Sequence, residues 1–443
     1  MNAIFIQIVS LASKNTTIRK LPQIYRKNYV SNLPKMLVKC LHNGNISQPH
    51  SHKNNNDIKA KVSTIDEVIQ VQSADGNVLK YPWIWLRDNC QCSSCFNPKL
   101  QSRTIDWRTF DISVNPKSLH INNNILSIEW SDGHCSEFTL KWLHERSFTK
   151  DNQEKWLNDV YRLPKIPWSA ADFPSVLKKF DYSDVIQSDK CLYEWLKALA
   201  EYGVAIVENT PIQEDQLRKL ANRVSFIKRT HYGEEFEVRN KPDTTNVAYL
   251  STPLQMHADL PYYEYKPGVN LLHCLVQTTG EGGDNLLTDC LHVSKILKEF
   301  HPEVYKILST TLVEWSDIGE ERGMKFFSLY RSPAICEDRW GQFARVNYSQ
   351  QQRYSHFSIP LEDVIPWYKA HATFTQALYD PKNMVQFKTK PGDILSFDNI
   401  RLAHGRTGYT DTKSNERHLI GAYLDWDIVY SRIRTLKRQL NLI

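Results

Sequence analysis

His257 and Asp259 stand two residues apart in LQMHADLPYY (254–263), just ahead of Pro261. An imidazole and a carboxylate so placed are two thirds of a non-haem Fe(II) oxygenase site. Such a site needs two His and one carboxylate on one face of the metal, with three positions left open. Two of those positions take a bidentate 2-oxo acid and the third takes O2. Side chains at i and i+2 of an extended segment point the same way, so the spacing suits a shared ligand face. The third ligand has to come from elsewhere in the chain. His404, in PGDILSFDNIRLAHGRTGY (391–409), follows the end of an expected strand over 394–398 and sits beside Gly405. Arg417 comes thirteen residues later, at the start of another expected strand. A guanidinium there could pair bidentately with the remote carboxylate of 2-oxoglutarate. A His-x-Asp pair alone is more often loop chemistry; the joint placement of His257, Asp259, His404 and Arg417 at strand edges is what favours a site. His273 lies inside the apolar run NLLHCLV and reads as a satisfied core residue, while His231, His292 and His418 have no comparable context.

A second cluster is more compact. RDNCQCSSCF (87–96) brings Cys90, Cys92 and Cys95 within six residues. Three thiolates at this spacing, flanked by Arg87, Asp88 and Asn89, can hold one soft cation and need a fourth ligand to close a tetrahedron. His134 and Cys135, in SDGHCSEF, are the candidates. His134 is preferred, because Cys3His is a structural zinc type, and four protein ligands leave no position open for catalysis.

The elements that must carry these residues follow from composition and patterning. The chain has 443 residues, ample for more than one core. Its net charge of +6 is concentrated at one end: residues 1–56 hold eight Lys and Arg and no acid. The remainder is near neutral, which argues against a nucleic-acid footprint. No apolar run is long enough to span a bilayer. The nine cysteines are an odd number and suit reduced thiols with a metal rather than a disulfide framework. Residues 1–57 read as a leader resembling a mitochondrial transit peptide; a cytoplasmic protein with a polar tail is the alternative, and a secretory signal over Ile4–Ala12 is the weaker rival. Residues 58–150 show short strands (VLKYPWIWLRD, SLHIN, ILSIEWSDG, CSEFTL) bounded by turns, expected to form a small zinc-binding β-module with helices at 141–147 and 150–163. A Pro-rich linker, 163–174, leads into the larger region, 165–443. There helices are expected at 188–202, 213–228, 292–308 and 363–379. Strands are expected at 203–209, 269–277, 284–289, 309–316, 342–348, within 386–399 and at 417–426. Many strands with a few flanking helices make a mainly β fold with α decoration (α+β), a sandwich or barrel. A P-loop and a dinucleotide-binding Gly fingerprint are both missing.

LRDNCQCSSC, WSDGHCSEF, NVAYLSTPLQMHAD, PGVNLLHC, FDNIRLAHGR and LDWDIVYSRIRTL occur in this order over 62–440. In them the chain resembles the gamma-butyrobetaine dioxygenase family, within the Fe(II)/2-oxoglutarate-dependent TauD/TfdA-like oxygenases. The resemblance implies a zinc-bearing N-terminal β-domain and a double-stranded β-helix (jelly-roll) catalytic domain, usually as a homodimer, with ascorbate as an auxiliary reductant. It implies Cys90, Cys92, Cys95 and His134 as zinc ligands, His257, Asp259 and His404 as iron ligands, and Arg417 as the 2-oxoglutarate anchor. The substrate it implies is a quaternary ammonium carboxylate, hydroxylated with O2 at C3 to L-carnitine, the last step of carnitine biosynthesis, with release of succinate and CO2. A quaternary ammonium has no N–H to donate, so it is read by aromatic faces. The family's cage maps onto Tyr232, Phe236, Tyr249 and Tyr423; Phe236 replaces a Trp of the animal enzymes and offers a weaker quadrupole. Asn246 and Asn347 map onto substrate-side amides. Trimethyllysine dioxygenase, the sibling, must also pair an α-ammonium and resembles this chain with Asp at 246, so the neutral Asn246 favours butyrobetaine. A non-enzyme alternative is a zinc-module adaptor that binds a methylated ligand.

Overall fold

The structure is a computed structural model describing residues 59–63, 65–72, 76–240, 247–321, 323–412 and 415–443. The expected leader and Asn246 lie outside the described residues.

The N-terminal region is built on two small antiparallel sheets. Strands Lys59–Ser63, Val68–Gln72 and Val78–Pro82 form one, and Pro116–Asn122, Ile125–Trp130 and Cys135–Thr139 the other. Asn123 and Asn124 join two strands of the second sheet, both at positive φ, the backbone that a two-residue type I′ hairpin requires and that Asn tolerates. Alternate strand residues bury Ile69, Tyr81, Leu126, Trp130 and Phe138 in one shared core. VLKYPWIWLRD is not one strand, as expected, but a strand ending at Pro82 and a helix over Trp83–Asp88. Pro82 has no N–H for the ladder, and its φ of −55° opens a helix instead. That helix delivers the chain to Cys90.

The larger region is two facing sheets of a double-stranded β-helix. The six-stranded sheet runs Glu235–Val238, His418–Leu424, Val269–Val276, Ile394–Asp398, Val204–Glu208, Lys178–Asp181. The four-stranded sheet runs Leu254–His257, Leu402–Arg406, Asn285–Asp289, Met384–Phe387. Strand Val269–Val276 shows how the faces divide. Val269, Leu271 and Leu275 pack outward into the core that includes helices Asp189–Tyr202 and Trp426–Gln439, while Asn270 and Leu272 face the interior cavity. Helix Asp189–Tyr202 begins at Ser188, whose side chain accepts from the Cys191 N–H, and ends at Gly203, φ 80°, where an added Cβ would lie 3.2 Å from Arg401.

Three expectations need correcting. The helix expected at 292–308 is two helices, Cys290–Phe300 and Pro302–Thr310, because Pro302 can start a helix but not continue one. The strand expected at 309–316 extends over Val313–Glu321 and pairs with a strand not anticipated, Met324–Ser332. His404 does follow the end of strand Ile394–Asp398, but it lies within a strand not anticipated, Leu402–Arg406, reached by a tight turn that crosses to the other sheet. Arg401 in that turn is fully buried. Its guanidinium donates to both oxygens of Asp289 at 2.9 and 2.7 Å and to the backbone carbonyls of Glu201 and Ile166.

Candidate active site

His257 ends strand Leu254–His257 and pairs across the ladder with His404, their ring centroids 4.2 Å apart. Asp259 follows in the loop, where Asn399 fixes its backbone: the Asp259 N–H donates to the Asn399 side-chain oxygen at 2.7 Å, and the Asn399 amide returns a bond to the Asp259 carbonyl. Leu260, at φ 53°, then turns the chain away. Asp259 Oδ1 lies 3.2 Å from His257 Nε2 and 3.6 Å from His404 Nε2. The three candidate ligand atoms all fall within 4.8 Å of one another.

The remaining polar atoms are arranged to leave those three free for a metal. His257 Nδ1 is 2.9 Å from the Gln255 carbonyl, which places the ring proton there and the lone pair on Nε2. Asp259 Oδ2 accepts from Asn270 at 2.6 Å and from the Tyr423 hydroxyl at 3.0 Å. Burial raises the Asp259 carboxyl, but His404, His257 and the Tyr423 hydroxyl outweigh it and hold it below the ordinary carboxylate range. Burial, reinforced by His257, pushes His404 down to about 3, so it is an uncharged imidazole at neutral pH. Burial and the adjacent Asp259 push the Tyr423 hydroxyl well above its usual range and keep it a donor. Two imidazoles and one ionised carboxylate facing a cavity are a donor set that fits Fe(II).

Arg417, buried at 4% exposure, lines the same cavity as the triad. Burial, followed by the neighbouring Arg406, lowers it to about 10, and its Nε has no hydrogen-bond partner. Among the described residues no carboxylate lies within ion-pair distance of either arginine, so the cavity wall is prepared for an anion. Arg406 also donates to backbone carbonyls of Ala248, Leu250 and Thr252, fixing the segment that carries Tyr249.

Tyr232, Phe236, Tyr249 and Tyr423 all line this cavity. Phe236 lies flat against Tyr423, centroids 4.9 Å apart and planes 26° from parallel. It also covers Gly421, where an added Cβ would come 2.2 Å from the ring. Asn347 is not among the lining residues: it is fully buried, its amide donating to Ser332 Oγ at 2.6 Å. Sequence reasoning missed Asn270, Arg406, Tyr262 and Asp317. Asn270 left a signal, since a polar residue within VNLLHCLV, placed to face inward, needs a partner. His273, three residues on, therefore faces the opposite way, into the helical side. It is buried as expected but not satisfied: neither ring nitrogen has a hydrogen-bond partner, and burial lowers it to about 4. His231 proves to have a context after all, within reach of Asp317 and Tyr263.

In the N-terminal region, His134 Nε2 lies 3.2, 3.5 and 3.4 Å from the sulfurs of Cys90, Cys92 and Cys95. Cys135 is exposed and not part of this group. Asp132 positions the histidine by accepting its backbone N–H at 2.9 Å, and Arg87 bridges Asp132 and the Cys95 sulfur. Burial pushes the Cys90 thiol up to about 12, so only a bound cation would hold it as thiolate at neutral pH.

Comparison with known proteins finds matches over both regions. Residues 164–423 match the family model described as taurine catabolism dioxygenase TauD, TfdA family, and residues 60–144 match that of the gamma-butyrobetaine hydroxylase-like N-terminal region. The chain is 34% identical to human gamma-butyrobetaine dioxygenase over 86% of its own length and 97% of that protein's. It is 30% identical to gamma-butyrobetaine dioxygenase of Pseudomonas sp. strain AK-1, over 86% and 96%. With mouse mitochondrial trimethyllysine dioxygenase it shares 30% identity, over 84% and 86%. With a triad-bearing β-helix and a Cys3His module both in place, the chain belongs to the TauD, TfdA dioxygenase family and carries a gamma-butyrobetaine hydroxylase-like N-terminal region.

Proposed function

We propose that this enzyme hydroxylates gamma-butyrobetaine at C3 to L-carnitine, using Fe(II), 2-oxoglutarate and O2 and releasing succinate and CO2. The observation that carries the reading is one cavity that joins three different recognition chemistries: the His257/Asp259/His404 triad, the unpaired Arg417, and the aromatic wall of Tyr232, Phe236, Tyr249 and Tyr423. Fe(II) held by the triad would supply O2 activation coupled to decarboxylation of the 2-oxo acid. The chain's own residues do the rest. Asn270 and Tyr423 hold the far oxygen of Asp259 so that the near one faces the histidines. Arg417 pairs with the remote carboxylate of 2-oxoglutarate, and the aromatic faces receive the trimethylammonium. Burial of the wall keeps water from the reacting carbon.

In this reading Cys90, Cys92, Cys95 and His134 hold a structural zinc within a domain spanning 58–150, and 165–443 is the catalytic domain. The acid-free basic leader supports import into mitochondria. A homodimer and ascorbate as the reductant that keeps the iron ferrous complete the proposal. Substrate choice rests on Asn246, a neutral amide suited to a carboxylate, and on the greater identity to a gamma-butyrobetaine dioxygenase than to a trimethyllysine dioxygenase. The test is succinate and hydroxylated product formed by the iron-loaded chain with gamma-butyrobetaine or trimethyllysine. Preference for trimethyllysine would overturn the substrate, and binding without succinate release would favour the adaptor.

A further inference from the structure

Behind the aromatic wall stands a carboxylate that does not line the cavity. Asp317 lies on strand Val313–Glu321, and its Oδ2 accepts the Tyr232 hydroxyl at 2.9 Å. The same oxygen is 3.6 Å from His231 Nε2. His231 is itself fixed: its Nδ1 is 2.7 Å from the Tyr263 hydroxyl, and its ring stacks on Phe326 with centroids 4.1 Å apart. Among the described residues no Lys or Arg pairs with Asp317. Burial raises its carboxyl, but His231, Tyr262 and Tyr232 outweigh that and keep it below the ordinary range, so it carries its charge at neutral pH. A formal negative charge is thus attached to the rim of one cage ring, with the His231 imidazole beside it and no Lys or Arg paired with it among the described residues.

We propose that Asp317 is the specificity-determining residue that makes the aromatic wall select a cation over a neutral group of the same shape. This deepens the substrate reading above and rests on it. Two effects act together. A phenol that donates to a carboxylate becomes more electron-rich, which strengthens the attraction of its face for a cation. The charge itself also acts through the ring, about a phenol's length away, where a partly buried site screens it far less than water does. A tert-butyl group would fill the same volume but feel neither effect. For two charges so separated at the effective dielectric of a protein surface, the combined preference is on the order of tenfold.

The test compares gamma-butyrobetaine with its neutral carbon isostere, 5,5-dimethylhexanoate, on the iron-loaded full chain. Asp317→Asn keeps the acceptor and removes the charge. It should raise the gamma-butyrobetaine KM roughly tenfold, leave kcat within about twofold, and leave the inhibition constant of the isostere unchanged. Tyr232→Phe keeps the ring and cuts its link to the carboxylate; it should lose part of the same discrimination, and it carries the test alone if Asp317→Asn does not fold. Equal weakening of both ligands would mean that Asp317 only shapes the wall, and no weakening of either would mean that it does nothing; both outcomes overturn the inference. If the wild-type chain acts on trimethyllysine instead, the substrate reading fails. The same comparison with trimethyllysine and its carbon isostere then decides the role of Asp317 separately. If the wild-type chain binds neither ammonium substrate, both fall.

Discussion

Tyr423 is placed to do two things, and Tyr423→Phe separates them. The ring belongs to the aromatic wall, held flat under Phe236, while the hydroxyl donates to Asp259 Oδ2. Removing only the oxygen leaves the ring packed where it is and takes away one of the two donors on the triad carboxylate. Tyr423 and Asn270 are both buried, at 3% and 1% exposure, so water does not readily replace the lost donor. A hydrogen bond to a charged group contributes about 1.5–3 kcal/mol, which as an effect on metal affinity is roughly 10- to 100-fold, the usual range for a partner that orients a ligand. Asn270→Ala should cost more than Tyr423→Phe, because its bond is the shorter, 2.6 against 3.0 Å. The double variant should depart from additivity, since both donors serve one oxygen.

The assay is Fe(II) titration of metal-free protein under anaerobic conditions, read by equilibrium dialysis, beside the gamma-butyrobetaine KM at saturating iron. The expected result for Tyr423→Phe is weaker iron binding with a KM changed by less than about threefold, because the ring that faces the ammonium is retained. A raised KM with iron affinity unchanged would refute the reasoning. Tyr423 would then be a wall residue whose bond to Asp259 is incidental.

Three further outcomes follow from other parts of the molecule. Arg417→Met should raise the 2-oxoglutarate KM at least about 100-fold with a much smaller change for gamma-butyrobetaine, measured as succinate formed; equal rises for both would remove Arg417 as the co-substrate anchor. Cys92→Ser should abolish retention of one zinc per chain by elemental analysis and lower the melting temperature, whereas unchanged metal content would show that the four donors do not act as one site. Lys266 is buried with its ammonium donating to the Val346 carbonyl at 2.6 Å; burial, then Arg345, lowers it from 10.5 to about 7. Its proton is held up to 10.5 in the unfolded chain but only to about 7 in the folded one. Lys266 therefore penalises the folded state fully below pH 7, decreasingly above it, and not at all beyond 10.5. Denaturant unfolding at pH 6, 8 and 10 should show the stability advantage of Lys266→Met shrinking with pH by about 4 kcal/mol, and a gap independent of pH would refute the titration.

The candidate metal-ligating residues, which the structure brings within 4.8 Å of one another, were legible because their chemistry is written in residue types: few arrangements other than a site need His, Asp and His at strand edges with an Arg beyond. The supporting residues were not, because their roles depend on which face of a strand they occupy and on which distant strand lies opposite. Asn270 and His273 lie in one apolar run, and only strand parity within the assembled sheet sends the first to Asp259 and the second into the helical core. Arg401 reads locally as a charged turn residue. In the fold it is completely enclosed, since the turn crosses between sheets beside Asp289. Asp317 lies on a strand only part of which patterning revealed, and its partner Tyr232 is 85 residues away. Such a pairing has no local signature.

Strand His418–Leu424, with Arg417 just before it, explains why these long-range roles hold together. Arg417, Leu419 and Tyr423 line the cavity, and Gly421 between the last two is roofed by Phe236 from the neighbouring strand. Residues at i, i+2, i+4 and i+6 share one face, so one strand presents the buried Arg417 guanidinium at one end and the aromatic wall at the other, about 20 Å apart. Gly421 cannot be larger without displacing the ring that lies on it, and Tyr423 cannot move without releasing Asp259. A single-residue deletion between Arg417 and Tyr423 would reverse the facing of one end relative to the other. The arginine or the tyrosine would leave the cavity, whichever end the ladder kept. Order along this strand, rather than any one contact, gives the cavity its polarity: in the proposed function a dicarboxylate would be drawn to one end and an ammonium to the other.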